Sequence, residues 1–168
     1  MSESKISLPL AVVTVSDTRT EASDKSGGVL VDCLEEAGHK LHSKQIVKDD
    51  VYQLRAEVSC LIADPEVKGI LMTGGTGFTD RDNTLKAIQP LLEQQIDGFG
   101  ELFRQLSHEE IGTSTIQSRV FAGLSNRTIV FCLPGSPGAC RTGWESIIRY
   151  QLDSTHRPCN FVDKLITD

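Results

Sequence analysis

The residues best suited to chemistry lie in one short segment, Gly74 to Asp82, which combines glycines with charged side chains. The apolar run Ile70 to Thr73 ends in three glycines within four residues, and the pair Arg81-Asp82 follows. Glycine permits a positive φ and lets backbone N–H groups approach an anion closely at a strand-loop-helix junction. Asp82 adds a carboxylate that suits Mg²⁺ or the orientation of a nucleophile. The segment predicts a phosphate site, against the simpler interpretation of a tight turn.

This glycine loop differs from the two familiar phosphate-binding sequences. No Gly-Lys-Ser/Thr follows it, as a Walker loop requires. Asp80 occupies the position of the third glycine of Gly-x-Gly-x-x-Gly. The loop therefore predicts a phosphate site of another design.

Three further polar loops follow apolar runs that we predict to be strands. They are Ser16-Asp17-Thr18, Lys48-Asp49-Asp50 and Pro134 to Gly138. Ligands of open parallel sheets bind at the carboxyl ends of strands, so we expect Asp49 and Asp82 to face one crevice. Two carboxylates beside two anion-binding turns suit Mg²⁺-assisted phosphoryl or nucleotidyl transfer. The competing interpretation makes Asp49-Asp50 a solvated turn that caps the next helix.

Strand and helix patterns alternate along the chain. The predicted strands are Pro9 to Val15, His39 to Lys48, Val67 to Thr73 and a hairpin of Val120 to Leu124 with Thr128 to Leu133. Helical spacing of apolar residues marks the segments between them and the stretch after Ser136. We predict an α/β fold, a three-layer α/β/α sandwich with a mostly parallel sheet and one antiparallel strand. We expect one domain over 1–168, with a core of about 8–152 and a tail at 153–168.

Composition narrows the function classes. The 168 residues carry 17 basic and 23 acidic side chains, and this net charge of −6 disfavours sequence-independent nucleic-acid binding. We find no signal peptide and no apolar run of about 20 residues, so we expect no membrane span. The five scattered cysteines form no Cys-x-x-Cys, which argues against a zinc site or a disulfide framework and favours the reducing cytoplasm. We assign Cys33, Cys60 and Cys132 to the core and the four histidines to the surface.

The chain resembles the molybdopterin-binding MogA/MoaB family, which acts in molybdenum cofactor biosynthesis. The resemblance runs from about Leu8 to Phe161, and its most specific part is the glycine loop with Arg81-Asp82. The other matching segments are Thr14 to Asp17, Asp24 to Gly27, Gly98 to Glu101, Leu106 to Arg119 and Leu133 to Pro137. The segments Glu109 to Ser114 and Arg157 to Phe161 are closer to the MoaB branch.

This resemblance implies an activity and a set of site residues. The activity is the Mg²⁺-dependent adenylylation of molybdopterin by ATP, which releases pyrophosphate. Asp49 and Asp82 match the family aspartates tied to catalysis and to the metal. The implied substrate-binding residues are Ser16, Asp17, Gly74, Gly75, Thr76, Gly77, Arg81, Glu101, Ser118, Pro134, Gly135 and Ser136.

The sequence leaves alternatives open. Some members of the MoaB branch bind the pterin without efficient adenylylation, so a carrier or scaffold of the same pathway is the second hypothesis, and a generic phosphate binder is the third. Ser136 stands where several members carry Asn. The resemblance also implies a trimer or a hexamer of two trimers, and possible contacts with other proteins of the pathway. The apolar tail residues Phe161, Val162, Leu165 and Ile166 predict burial on the domain or on a neighbouring subunit.

Overall fold

A six-stranded sheet forms the centre of the protein, and the computed structural model describes residues 4–167. The strands are β1 (Pro9–Val15), β2 (Lys40–Val47), β3 (Gly69–Thr73), β4 (Gln94–Gln95), β5 (Phe121–Ser125) and β6 (Thr128–Leu133). The α-helices are α1 (Lys25–Glu36), α2 (Val51–Ala63), α3 (Thr84–Ile88), α4 (Asp97–Ile111), α5 (Pro137–Gly143), α6 (Arg149–Gln151) and α7 (Val162–Ile166). Short 3₁₀ segments cover Gln89–Leu91 and Gly112–Gln117.

The strand order is β2-β1-β3-β6-β5-β4, and the first four of these strands are parallel. Strand β5 runs antiparallel to both of its neighbours, which confirms the predicted α/β class with one reversed strand. The two-residue strand β4 was not predicted, because Gln94 and Gln95 are exposed and polar and carry no alternating pattern.

Helices cover both faces of the sheet, as the alternation of side chains along each strand requires. In β1, Leu10 and Val12 belong to one buried cluster, whereas Ala11 and Val13 belong to the other. Helices α1, α4 and α5 pack in the first cluster, and α2 and α3 pack in the second. None of the described helices combines the length and the apolar character needed to cross a membrane.

The chain changes direction across the sheet between β1 and β3. From β1 it crosses to β2 on one side, and it then returns past β1 to β3 on the other side. Such a reversal leaves a crevice between the loops that leave β1 and β3, where open α/β sheets bind ligands. The glycine loop follows β3, so the topology places it at this crevice.

The last long helix carries the predicted apolar face but is interrupted. Cys140, Trp144, Ile147, Ile148 and Leu152 are all buried, as their spacing predicts. A π-turn over Trp144–Ile148 separates α5 from α6. Periodicity does not reveal such a one-residue widening, because the neighbouring turns keep the same face buried.

Two assignments made from the sequence are wrong: one cysteine assigned to the core is exposed, and one histidine assigned to the surface is buried. Cys60 is exposed, because the buried stripe of α2 passes through Leu54, Val58 and Leu61 instead. His39 is only 5% exposed, and its Nδ1 accepts a hydrogen bond of 3.2 Å from the N–H of Leu8. Burial lowers the pKa of His39 to about 4.

The buried His39 makes stability depend on pH. Its pKa lies near 4 in the folded protein and near 6.5 when unfolded, so its contribution is complete above pH 6.5 and is lost as the pH falls towards 4. We expect the wild type to lose about 3 kcal/mol more than His39→Asn over this range. Denaturant titrations at several pH values measure this difference, and His108→Asn at an exposed position is the control. An equal pH slope in wild type and His39→Asn contradicts the prediction.

The tail folds back on its own domain. Val162 and Leu165 are fully buried in the same cluster as Trp144, whereas Ile166 on the same short helix is 41% exposed. The Phe161 N–H donates to the carbonyl of Gln151, which ties α7 to the preceding helix. The tail therefore gives no separate support for a neighbouring subunit.

The two apolar positions of α7 form a matched pair for mutagenesis. Leu165→Ala removes a fully buried side chain and is expected to cost about 2–5 kcal/mol of unfolding free energy. Ile166→Ala is expected to cost much less, about 0.5 kcal/mol, because that side chain is 41% exposed and lies outside the buried cluster. Denaturant unfolding tests both variants, and similar losses in the two would show that α7 does not pack in solution as described.

Candidate active site

Two loops meet at the carboxyl ends of β3 and β6. The Gly74 N–H donates to the carbonyl of Leu133 over 3.0 Å. A Cβ placed on Gly135 would lie 3.4 Å from the Cα of Gly74, so the two backbones are in direct contact. The glycine loop and the loop after β6 therefore form one continuous rim.

Two of the three glycines in the loop have the backbone conformation that the sequence predicts. Gly74 and Gly75 have φ values of 101° and 67°, which disfavour any side chain. A Cβ would lie 2.4 Å from the Val15 carbonyl at Gly74, and 2.3 Å from Thr84 Oγ1 at Gly75. Within residues 4–167 the N–H groups of Gly75 and Thr76 donate to no protein acceptor. Unpaired N–H groups on a glycine turn are suited to bind an anion.

A cleft of about 390 Å³ opens beside this rim. The glycine loop, α4, the following 3₁₀ segment and the loop after β6 form its walls. The lining residues are Gly75, Thr76, Gly77, Asp82, Phe103, Ser107, Ile111, Ser114, Gln117, Ser118, Pro134, Gly135, Ser136 and Ala139. The cleft thus combines backbone N–H groups, hydroxyls and one carboxylate, a set suited to a phosphorylated ligand.

Asp82 lies at the edge of this cleft and is held by its own loop. Its Oδ2 accepts hydrogen bonds from the N–H and the hydroxyl of Thr79, at 2.9 and 2.7 Å. Partial burial alone would raise the pKa of Asp82, but these hydrogen bonds, with help from the Gly77 N–H and the charge of Arg119, lower it. Asp82 is therefore an ionised carboxylate in a fixed orientation.

Asp49 is buried beneath the glycine loop. Its Oδ1 accepts from the N–H of Asn83 at 2.9 Å, and its Oδ2 is 3.0 Å from the position of a Cβ on Gly75. Burial raises the pKa of Asp49, and the negative charge of Asp82 raises it further. Asp50 alone caps α2, by accepting from the N–H groups of Tyr52 and Gln53. The capping interpretation is therefore right for Asp50 and wrong for Asp49.

The opposite pKa shifts of Asp49 and Asp82 distinguish two carboxylates that come from different loops but both adjoin the glycine turn. Asp82 stays ionised, whereas the buried Asp49 is more stable when a cation or a proton offsets its charge. No group of three or more His, Cys, Asp or Glu among the described residues makes a ready metal cage. Two carboxylates nevertheless match the way Mg²⁺ binds, with few protein ligands and with substrate phosphates completing its shell.

An ion pair links the loop after β1 to the glycine loop. Asp17 Oδ2 accepts from Arg81 Nε and Nη2 at 2.9 and 2.6 Å, and Asp17 Oδ1 accepts from the Asp49 N–H at 3.1 Å. The guanidinium holds the pKa of Asp17 below its usual range. These bonds join three separate loops at the crevice.

Side chains from β3 and α1 fix the loop after β6. The hydroxyl of Thr73 donates to the Pro134 carbonyl at 2.7 Å, and that of Ser26 donates to the Gly135 carbonyl at 2.8 Å. Ser136 caps α5 by accepting from the Ala139 N–H, as its place before Pro137 predicts. The hydroxyl of Ser136 thus has a structural partner and also lines the cleft.

The structure brings most of the predicted site residues together at one crevice, and one predicted residue, Glu101, lies elsewhere. Gly75, Thr76, Gly77, Asp82, Ser118, Pro134, Gly135 and Ser136 line the main cleft. Ser16 and Gly74 line a small hollow of about 50 Å³ in the adjoining crevice, and Asp17, Arg81 and Asp49 are tied to it by the bonds above. Glu101 is exposed on α4 and lines a different cleft of about 290 Å³ with Arg104 and Phe121. The main cleft therefore forms without Glu101.

Sequence reasoning missed three residues that shape the loop. The buried Thr84 donates its hydroxyl to the Gly74 carbonyl at 2.8 Å, and Asn83 Nδ2 donates to the Asp49 carbonyl at 3.2 Å. Arg119 donates to the carbonyl of Gly77 from the far side of the cleft. The position of Asn83 and Thr84 at a helix start is a sequence pattern that indicates a role for them. A lone arginine before a strand, such as Arg119, forms no pattern of that kind.

Comparison with known proteins agrees with this geometry. The family described as "Probable molybdopterin binding domain" matches residues 11–154. Molybdenum cofactor biosynthesis protein B of Escherichia coli is 53% identical over 152 residues, which cover 90% of this chain and 89% of that protein. Its counterpart in Bacillus subtilis is 46% identical over 142 residues and 84% of each chain.

Solved structures show the same relationship. A crystal structure of a molybdenum cofactor biosynthesis protein B has a TM-score of 0.87 and 44% identity, over 89% of this chain and 94% of that one. The tungsten cofactor synthesizing protein MoaB from Pyrococcus furiosus has a TM-score of 0.76 and 35% identity, over 84% and 91%. The chain with this glycine-lined cleft therefore belongs to the molybdopterin-binding MogA/MoaB family of molybdenum cofactor biosynthesis proteins.

Proposed function

We propose that this protein transfers the adenylyl group of ATP to molybdopterin in a Mg²⁺-dependent reaction. A phosphate oxygen of the pterin attacks the α-phosphorus of ATP and forms a new P–O bond. The P–O bond to the β-phosphate breaks, and pyrophosphate leaves with the electron pair. The products are adenylyl-molybdopterin and pyrophosphate.

The observation that carries this proposal is the pairing of an anion-binding turn with two differently tuned carboxylates. The free N–H groups of Gly75 and Thr76 lie on the same loop as the Asp82 carboxylate, and the Asp49 carboxylate lies directly behind Gly75. Phosphate binding alone requires the turn but not a buried acid whose charge is unfavourable. This arrangement favours nucleotidyl transfer over simple binding.

The described residues have separate roles in this reaction. The glycine loop and the Pro134-Gly135 loop hold the phosphate groups against the rim. Asp49 and Asp82 would hold the magnesium ion, which supplies positive charge to the phosphate oxygens when bound. Arg81 adds a cation next to Asp82 in the sequence, and its pairing with Asp17 holds it at the adjoining crevice. Ser118 and Ser136 also line the cleft and offer hydroxyls to the ligand.

The second candidate is a protein that binds and carries molybdopterin without chemistry. The separate position of Glu101 favours this alternative, because an implied substrate residue does not reach the main cleft. Both candidates predict pterin binding, and only the first predicts consumption of ATP.

Pyrophosphate release decides between the two candidates. Purified protein is mixed with ATP and molybdopterin, with and without Mg²⁺, and pyrophosphate is measured over time. The proposal expects release that requires all three components. Tight pterin binding without any release would establish the carrier, and no binding of either ligand would exclude both.

We also propose that the protein forms a closed homo-oligomer, a trimer or two stacked trimers. Leu102, Ile111 and Ile116 on α4 and the following 3₁₀ segment are 42%, 54% and 73% exposed, and a subunit contact would cover them. Sedimentation velocity at several concentrations tests this assembly. A monomer at every concentration would exclude it.

A further inference from the structure

Arg119 forms hydrogen bonds with the backbone of the glycine loop, although it lies outside the segment Gly74 to Asp82 in the sequence. It follows the 3₁₀ segment Gly112–Gln117 and precedes β5. Its Nη2 donates to the carbonyl oxygen of Gly77 and, at 3.3 Å, to that of Asp82. Its backbone N–H donates to the Thr76 carbonyl at 3.2 Å. One residue thus holds both ends of the turn from Thr76 to Asp82.

The guanidinium of Arg119 has an unusual environment for a cation. Among the described residues no carboxylate forms a salt bridge with it, although the chain is acidic. Its Nε is buried and has no acceptor within residues 4–167. The ring of Phe78, itself a loop residue, covers the guanidinium at 4.6 Å. Most arginines lie at the surface, where water solvates the guanidinium. The buried Nε of Arg119 therefore indicates a structural role and not one in solubility.

The hydrogen bonds from Arg119 fix the direction of the peptide groups in the turn. A trans peptide points its C=O and its N–H in opposite directions. Anchoring the Thr76 carbonyl therefore orients the N–H of Gly77, which interacts with the Asp82 carboxylate. Anchoring the Gly77 carbonyl orients the N–H of Phe78 away from Arg119 in the same way.

We propose that Arg119 is a positioning residue that holds the Thr76–Asp82 turn in its ligand-binding form before substrate arrives. It acts through the loop and contacts none of the reacting atoms. The consequence for catalysis rests on the proposed adenylyl transfer, whereas the consequence for loop order does not. A pre-ordered turn does not have to be organised when the phosphate binds.

Three variants and one matched control test this role. Arg119→Gln removes the charge and shortens the reach, and Arg119→Lys keeps a charged donor. Arg55→Gln is the control, because Arg55 also donates to two carbonyls, of Lys86 and Ala87, and also lies over a ring, that of Tyr52. Phe78→Leu removes the ring and leaves the carbonyl contacts in place. Thermal unfolding of all four variants separates effects on the loop from effects on the whole fold.

The first readout is amide hydrogen exchange of the turn in the ligand-free protein. We expect faster exchange from Thr76 to Asp82 in Arg119→Gln, partial protection in Arg119→Lys and no change in Arg55→Gln. The second readout is calorimetric affinity for MgATP. We expect a loss of about tenfold to a hundredfold in Arg119→Gln, most of it restored in Arg119→Lys, because binding must then order the turn, which costs about tenfold in affinity for each residue whose backbone is fixed.

The outcomes distinguish this proposal from the proposed reaction. If wild type releases no pyrophosphate but Arg119→Gln loosens the turn and weakens MgATP binding, the reaction is wrong and the positioning role stands. If wild type is active and Arg119→Gln matches Arg55→Gln in loop exchange and in affinity, the positioning role is wrong. A kcat/KM that falls only in proportion to lost folded protein would also overturn it.

Discussion

Asp82→Asn is expected to lower adenylyl transfer by about a thousandfold, or ~4 kcal/mol of transition-state stabilisation, while the protein stays folded. The amide oxygen can still accept the hydrogen bonds from Thr79, so the loop keeps its shape. The variant loses only the charge directed at the metal and the phosphates. Single-turnover measurement of pyrophosphate release tests this expectation.

The neighbouring acid provides the control. Asp80 is exposed two positions away, and Asp80→Asn changes the net charge by the same amount at the same loop. We expect it to keep activity near wild type. Equal activity in Asp80→Asn and Asp82→Asn would remove Asp82 from the catalytic machinery and favour the carrier.

The second large effect is expected at Gly75. Gly75→Val should abolish detectable binding of MgATP, because Gly75 has a φ of 67° and its Cβ would lie 2.3 Å from Thr84 Oγ1 and 3.0 Å from Asp49 Oδ2. A β-branched side chain cannot relieve either contact by choosing another rotamer. Calorimetry with MgATP measures the loss.

Two further glycines separate backbone strain from crowding of the site. Gly38 has a φ of 85° but open space at its Cβ and lies far from the cleft, so Gly38→Val should cost stability and keep binding. Gly77 has no positive φ, contrary to the simplest interpretation of the motif, and its Cβ would lie 2.7 Å from the Asp82 carboxylate. Gly77→Val should therefore disturb Asp82 rather than strain the backbone. Unchanged affinity in both Gly75→Val and Gly77→Val would mean that the loop is only a turn.

The fold was predictable from local patterns wherever the burial of an element leaves a regular pattern of apolar residues. The strand Pro9–Val15 is apolar at nearly every position because helices cover both sides of it, and this run identified a central strand. His39 shows where the approach fails. Its ring is buried although only Nδ1 has a hydrogen-bond partner in the described part of the chain, and that partner, the N–H of Leu8, is 31 positions away. Tertiary contacts of that kind leave no local pattern.

The candidate site was predictable where chemistry requires a particular residue type. Only glycine suits the backbone of Gly74 and Gly75, so the turn was visible in the sequence. Arg119 was not visible, because its partners are backbone carbonyls, which every residue carries. Glu101 was implied by family resemblance, and the structure places it on a separate cleft.

Because β5 runs in the reversed direction, a second kind of segment contributes to the ligand-binding edge of the sheet and can vary in sequence. In a purely parallel sheet, only the segments that follow strands reach the ligand edge. Because β5 runs against β6, the segment before it, with Ser118 and Arg119, reaches that edge as well. Insertions or deletions between α4 and β5 would reshape one wall of the cleft and leave the sequence of the glycine loop unchanged. Specificity for the ligand can therefore diverge in one segment while the anion-binding turn is kept in another.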